Sequence, residues 1–182
     1  RGKIKYWRTL QKELNSRCKD FSPQGMMKYW EDNDMRYNEI SYRMIRDLEL
    51  YIKGDCKKKL KAQFGDDWFK KGLPKKVYSE ANTLAIEKNY EKMAGEEVEP
   101  WDCLNFIHYR EIVLNNWQNV FEKDYTLPED KKRSGKKADK TKWMEKLSRI
   151  RNENFHVYSV TEDEFKFLEK IQMWLLPNNS YK

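Results

Sequence analysis

Apolar residues recur three or four positions apart along most of the chain, which is the spacing of one face of an α-helix. Ile40, Met44 and Leu48 follow this spacing, and Leu168 and Ile171 follow it near the other end. Runs with the period-two alternation of strands are absent. The pattern therefore predicts an all-α bundle of five to six principal helices. They are expected at residues 35–64, 76–93, 101–117, 116–125 and 139–156, with a last helix after Thr161 and a helix, a turn and a short helix in residues 1–34.

Local signals predict where several of these helices begin or break. Thr161 and Glu164 have the spacing of a capping box, in which each side chain bonds the backbone N–H of the other residue. Asp102 and Asp139 are the expected N-caps of the helices that follow them. Gly54 is expected to interrupt its helix, because glycine is a poor helix former. The inward-facing positions expected in the 76–93 helix are Val77, Ala81, Leu84 and Tyr90.

Three segments are expected along the chain. Residues 1–34 are interpreted as a helical lead-in, residues 35–176 as the main domain, and residues 177–182 as a tail. The sequence begins with Arg1 rather than Met, so it is expected to be a piece of a longer protein.

Positive charge is concentrated in one stretch of the main domain. The chain has a net charge of +7, and seven Lys or Arg with one Asp between Lys131 and Lys142 give +6 of it locally. We interpret residues 127–142 as a low-complexity basic loop, either a solubilising insertion or a contact for a polyanion such as RNA. A second run, Lys57–Lys61, is interpreted as a solvated face rather than a nucleic-acid contact. The candidate RNA-binding residues are Lys131, Lys132, Arg133, Lys136, Lys137 and Lys140.

Several classes of protein are disfavoured by what the sequence lacks. The three Cys residues show no CxxC spacing, which fits a reducing, cytoplasmic compartment, and the longest uncharged run, 112–121, is too short to span a membrane. Gly-rich phosphate loops and the HExxH and GxSxG motifs are absent, as are carboxylates at metal-ligand spacing. His108 stands alone, which is typical of a packed or surface residue. We therefore expect no metal and no cofactor.

Arg151 and His156 are the pair best suited to chemistry. They lie five residues apart near the expected end of the 139–156 helix, or about 1.4 turns and roughly 7 Å along its axis, so both could reach one phosphate. The alternative is structural, because cations near a helix C-terminus are stabilised by about 0.3–1 kcal/mol through the helix dipole. The spacing by itself leaves both open.

The order of motifs resembles the HEPN superfamily of helical ribonuclease and nucleotide-binding domains. Arg151 to His156 match its RNxxxH motif at the end of the penultimate helix, and a capped final helix follows. The resemblance extends over residues 35–176, including the helix with Glu39 and Arg43 and the segment beginning WDCLNFIHYREIV at residue 101. It is closest in type to HEPN domains appended to larger prokaryotic defence and RNA-processing proteins.

This resemblance implies a metal-independent endoribonuclease that serves as a toxin or defence effector domain. Arg151 and His156 are then the catalytic residues, with Asn152 as the polar position after the arginine. The implied partners are RNA, a second copy of the chain in a symmetric homodimer, and a regulator in the form of an upstream domain or an antitoxin. Two alternatives remain: a catalytically silent interaction or dimerisation module, and a basic nucleic-acid-binding module.

Overall fold

All regular structure in the described part of the chain is helical. The computed structural model describes residues 13, 26–90, 92–93, 96–155 and 160–177, and no strand occurs within them. The all-α prediction is confirmed, and five of the helices in these ranges have ten or more residues. The α-helices are α1 (Met26–Phe64), α2 (Trp68–Gly72), α3 (Lys75–Asn89), α4 (Phe106–Asn115), α5 (Glu122–Tyr125), α6 (Lys137–Lys140), α7 (Lys142–Phe155) and α8 (Glu162–Leu175).

The chain forms two compact units. The first contains residues 1–48 and 149–182, and the second contains residues 49–148. The divisions fall inside α1 and α7, so each of these helices contributes residues to both units. Within the described ranges, no helix is both long enough and apolar enough to cross a membrane.

Helix α1 is organised by one buried stripe. Ile45, Leu48, Ile52 and Leu60 are at most 3% exposed and follow one another at helical spacing. The expected helix boundary at residue 35 is wrong, because α1 already begins at Met26. The expected break at Gly54 is also wrong: the helix continues through this exposed glycine for 39 residues in all. A single glycine costs about 1 kcal/mol in a helix, which burial of the stripe can readily offset.

Gly54→Ala is expected to stabilise the protein by about 0.5–1 kcal/mol, because alanine loses less backbone entropy when the helix forms. A methyl group at Gly54 would meet no atom within 4 Å. Urea unfolding followed by circular dichroism would measure the change. Gly72→Ala is the matched control and should lower the stability, because its Cβ would lie 2.8 Å from Leu60 Cδ2 in the core. A lower stability of Gly54→Ala would contradict the expectation.

In the first unit, α8 has the beginning that the sequence predicts. The Thr161 side chain accepts a hydrogen bond from the Glu164 backbone N–H, and the Glu164 carboxylate accepts one from the Thr161 N–H at 3.0 Å, which confirms the capping box. The Val160 N–H donates to Asn38 Oδ1 at 2.7 Å, and the ring of Phe165 meets Tyr37 edge to face at 4.8 Å. These contacts fix the start of α8 against α1 within this unit.

In the second unit, the helix expected to begin after Asp102 begins later. Residues Pro100–Cys103 form a 3₁₀ turn, and Asn105 caps α4 through a capping box with His108. Asp102 instead forms an ion pair with Lys53 at 2.6 Å. Asp and Asn are both good cap residues, but Asp102 lies within the 3₁₀ turn, and Asn105 is the residue that directly precedes α4.

Helix α3 differs from its prediction at its C-terminal end. It ends at Asn89 rather than at residue 93, and Tyr90 is 88% exposed instead of facing inward. Leu84 is half-buried, whereas Ala85 takes the buried position beside Val77 and Ala81 in the stripe. The stripe is therefore narrow and made mostly of small residues.

Helix α7 begins at Lys142, three residues later than expected, so Asp139 is not its N-cap. Asp139 lies in the short helix α6 and pairs with Lys142 at 2.8 Å. Thr141 separates the two helices, is fully buried, and donates from Oγ1 to the Lys137 carbonyl at 3.0 Å. The turn at Thr141 thus divides the single helix that the apolar pattern predicts into two.

Candidate functional site

Two of the three predicted catalytic residues lie within the last five residues of α7. Arg151 is half-buried and Asn152 is exposed. The Arg151 Nη1 donates to Asn152 Oδ1 at 3.3 Å, so the guanidinium and the amide are held side by side. His156 follows the last residue of α7 by one position and lies outside the described residues. The Arg-Asn half of the motif is therefore placed at the helix end that the sequence predicts for it.

The cations of the basic stretch at 131–140 differ in whether their side chains contact a distant part of the second unit. All residues from Lys131 to Asp139 are exposed. Lys137 nevertheless donates from Nζ to the Leu114 carbonyl at 2.9 Å. Lys140 has a side chain only 16% exposed and pairs with Glu122 at 3.3 Å. We call the exposed cations Lys131, Lys132, Arg133 and Lys136 the basic segment.

The expectation that residues 127–142 form a single basic loop needs correction. Residues Pro128–Asp130 form a 3₁₀ turn, and Lys137–Lys140 form α6. Lys137 and Lys140 attach this stretch to the rest of the second unit, because the ammonium group of each donates a hydrogen bond to a partner more than fifteen residues away. The basic segment is thus presented by an anchored structure, which lowers the entropy lost on binding a ligand.

The Lys57–Lys61 run was interpreted as a solvated face, but Lys57 and Lys59 are partly buried and form ion pairs. Leu60 is fully buried, Lys57 pairs with Glu99 at 3.1 Å, and Lys59 pairs with Asp124 at 2.5 Å. The ammonium groups of Lys57 and Lys61 also lie within 5.6 Å of the centre of the Trp68 ring. These cations stabilise the second unit through contacts within it.

A buried polar cluster joins α1 to α5 and was not predicted. The Tyr125 hydroxyl donates to Asp55 Oδ2 at 3.0 Å and lies 3.6 Å from the Cys56 Sγ. The Trp143 Nε1–H donates to the Tyr125 carbonyl at 3.1 Å. Burial raises the pKa of the Asp55 carboxyl, raises that of the Tyr125 hydroxyl well above its usual value, and raises the pKa of the Cys56 thiol to about 12. Cys56 is therefore a protonated, structural thiol at neutral pH rather than a nucleophile.

Cys56 is expected to resist thiol reagents in the folded protein. Its pKa rises from 9.0 to about 12 on folding, so the thiol contributes stability that is fully present below pH 9.0 and is lost as the pH rises towards about 12. In a Cys18→Ala, Cys103→Ala background, we expect the native protein to react with an aromatic disulfide reagent at least about 10²-fold more slowly than the same protein in guanidinium chloride. Equal rates in the two conditions would show that Cys56 is accessible and refute its structural role.

His108 also has a structural role. It is buried, and its Nδ1 accepts a hydrogen bond from the Asn105 backbone N–H at 3.1 Å. Its Nε2 lies 3.3 Å from a Glu80 carboxylate oxygen. Because Nδ1 is an acceptor here, the ring carries its proton on Nε2, and the imidazole completes the capping box of Asn105 at the start of α4. Within the described ranges, no three His, Cys, Asp or Glu side chains are grouped so as to hold a metal ion.

A groove of about 350 Å³ lies beside the basic stretch in the second unit. The residues that line it include Asn115, Gln118 and Asn119, which carry side-chain amides, and we therefore call it the amide groove. Lys137 and Gly135 contribute the facing wall. The sequence alone gave no sign of this groove, because its walls come from segments about twenty residues apart. The remaining residues at its wall are Leu114, Asn116, Trp117 and Glu122.

Comparison with known proteins adds no further constraint on the site. No protein-family model, curated protein or solved structure matches this chain.

Proposed function

We propose that the chain is a metal-independent endoribonuclease of the HEPN type, with Arg151, His156 and Asn152 at its catalytic site. The observation that carries the proposal is that Arg151 and Asn152 lie within the last five residues of α7, the helix that precedes the capped helix α8 in the chain. This is the position that the RNxxxH resemblance implies. The all-helical architecture of the described residues is consistent with the proposal.

The proposed reaction needs proton transfer and charge stabilisation only. RNA supplies the nucleophile, because its 2′-OH lies next to the scissile phosphate. The 2′-oxygen forms a bond to phosphorus and gives its proton to a His156 imidazole, while the bond from phosphorus to the 5′-oxygen breaks. A protonated imidazole returns a proton to the leaving 5′-oxygen. The products are a 2′,3′-cyclic phosphate and a 5′-OH end.

Arg151 would stabilise the transition state. Its guanidinium is always charged at physiological pH, and its planar N–H groups match two non-bridging phosphate oxygens. The charge on these oxygens grows as the fifth bond to phosphorus forms, so a fixed cation there lowers the barrier. Asn152, whose Oδ1 accepts a hydrogen bond from Arg151 at 3.3 Å, would orient this guanidinium or the phosphate.

A single His156 per chain leaves the second proton-transfer role open, because the chain's other histidine, His108, is buried in the capping box at the start of α4. We propose a symmetric homodimer in which one His156 acts as the general base and the His156 of the second copy as the general acid. Sedimentation at micromolar concentration, together with an activity assay on the same sample, would test it. Cleavage by a strictly monomeric protein would exclude this division of roles.

The test of the proposed function is cleavage of end-labelled RNA in the presence of EDTA. We expect cleavage with cyclic phosphate ends, and none at a position where the 2′-OH has been replaced by hydrogen. Dependence on Mg²⁺ or cleavage of DNA would overturn the mechanism.

A second candidate function is favoured by the exposure of residues 131–139, because a strongly basic surface can bind RNA without cutting it. RNA binding that weakens steeply with salt, with no cleavage under any condition, would support this nucleic-acid-binding module instead.

A further inference from the structure

The amide groove has a backbone feature that sets it apart from the rest of the second unit. Three of its lining residues, Trp117, Gln118 and Asn119, belong to a π-helical turn, Trp117–Phe121, between α4 and α5. Turns of this kind are rare and are frequently found at functional sites. Trp117 is 5% exposed and Phe121 is fully buried, so the ends of the turn are fixed in the core. Gln118 and Asn119, between them, are exposed.

Of the four amide side chains in this region, one forms hydrogen bonds that hold the fold together and three do not. Asn116 is buried, and its Nδ2 donates to the carbonyls of Gly72 at 2.6 Å and Ile112 at 2.9 Å. Asn115, Gln118 and Asn119 are exposed, and their side chains form no hydrogen bond within the described residues. Three amides with unused donors and acceptors therefore line one groove.

The charges around the groove favour an anionic ligand. Glu122 is the carboxylate at its wall, and its Oε1 is paired with Lys140 at 3.3 Å. Lys137 faces the groove, and its Nζ is held at the Leu114 carbonyl by a 2.9 Å hydrogen bond. Gly135 of the groove wall is next in sequence to Lys136, and all four cations of the basic segment are exposed.

We infer that the amide groove binds the base of one unpaired nucleotide of RNA, while the basic segment binds the phosphates of the adjoining strand. This inference rests on the proposed RNA-directed function and adds a base-reading subsite to it. An amide presents an N–H donor and a C=O acceptor side by side, the arrangement found on the edges of nucleobases. The volume of about 350 Å³ lies in the range of small-ligand pockets.

The geometry also selects single-stranded over duplex RNA. In a duplex the Watson–Crick edges are paired and the major groove is too deep and narrow for side chains, whereas an unstacked base can turn into a protein groove. The subsite should therefore give the protein a preference among bases as well as a preference for single strands.

The experiment measures binding of four fluorescent single-stranded homopolymers, one for each base, and of an RNA duplex. A His156→Ala protein is used so that RNA stays intact, and anisotropy is recorded over a range of salt concentrations. We expect one homopolymer to bind about tenfold more tightly than the weakest, since a good two-bond amide contact discriminates by about this factor. Adding Asn115→Ala, Gln118→Ala and Asn119→Ala together should remove this preference while leaving the salt dependence unchanged. Gln63→Ala, which removes an exposed amide elsewhere in the second unit, is the matched control.

The outcomes separate the inference from the function on which it rests. Retention of the base preference in the triple variant, absence of any preference in the starting protein, or equal binding of the duplex would each overturn the groove inference alone. Failure to bind any RNA would overturn the proposed function and the inference together. If circular dichroism shows lost helix in the triple variant, single Gln118→Ala and Asn119→Ala proteins give the same readout, with the preference reduced in each.

Discussion

Arg151→Ala and His156→Ala are each expected to slow RNA cleavage by about 10²–10⁴-fold while the protein stays folded. Arg151 supplies fixed positive charge where negative charge develops on the phosphate, and His156 supplies proton transfer. Since the two residues act in the same step, the double variant should lose less than the product of the two single losses. Initial rates with end-labelled RNA under single-turnover conditions would measure these effects on the chemical step itself.

The matched control for this test is Arg149→Ala. Arg149 lies two positions before Arg151 on α7, is 60% exposed, and reaches Glu164 at a distance of 3.9 Å. A long ion pair from an exposed arginine contributes about 1 kcal/mol to stability or less, so folding should be retained. Removal of this arginine lowers the net charge by the same amount as Arg151→Ala. Equal losses of cleavage in the two variants would mean that general positive charge, and not the motif, is responsible.

The dependence of the rate on pH adds a second readout. An imidazole changes its protonation between about pH 5 and 8, so cleavage that needs one basic and one acidic imidazole should show a bell-shaped pH profile. In His156→Ala the residual rate should lose this shape. A lower rate with an unchanged profile would indicate that the substitution acts through the structure of the helix end and not through proton transfer.

The parts of the fold that could be predicted depend on residues close together in sequence. The capping box of Thr161 and Glu164 was predicted correctly because its two hydrogen bonds form within a single turn. The stripe through Leu48 and Ile52 was predicted for the same reason, since helical spacing is a local property. These local signals were sufficient to establish an all-α architecture.

The errors occur where packing outweighs a local preference. Gly54 is a poor helix former, yet the buried residues on both sides of it keep α1 continuous. Asp139 is a good N-cap by type, but the buried Thr141 turn places the start of α7 after it. The strength of a cap or breaker is about 1 kcal/mol, so contacts with distant residues can decide against it.

The candidate sites show the same limit. Arg151 and Asn152 could be assigned to a helix end because they lie in one motif. The hydrogen bond from Tyr125 to Asp55 joins residues 70 positions apart, and no sequence pattern predicts it. The amide groove was equally hidden, because the sequence does not reveal a π-helical turn or its proximity to Gly135.

Replacing Lys131, Lys132, Arg133 and Lys136 with Gln is expected to weaken RNA binding strongly at low salt. Each lysine or arginine that neutralises a phosphate releases condensed counterions, and each such contact contributes roughly 0.7 to the slope of log affinity against log salt for single strands. If all four make contacts, the slope should flatten by about 2.8. Anisotropy titrations from about 50 to 200 mM salt would measure it. Lys137 and Lys140 are left in place because they anchor the stretch to Leu114 and Glu122.

A control with the same change in net charge separates a local contact from a general electrostatic attraction. Lys58, Lys70, Lys75 and Lys88 are exposed lysines of the second unit outside the basic stretch, and replacing them with Gln also lowers the net charge of +7 by four. If RNA binds at the basic segment, this control should retain most of the affinity and nearly the full salt slope, because charges beyond about 10 Å are screened at 0.1 M salt. Equal flattening in both variants would assign binding to overall charge. An unchanged slope in the first variant would leave the basic segment with a role in solubility alone.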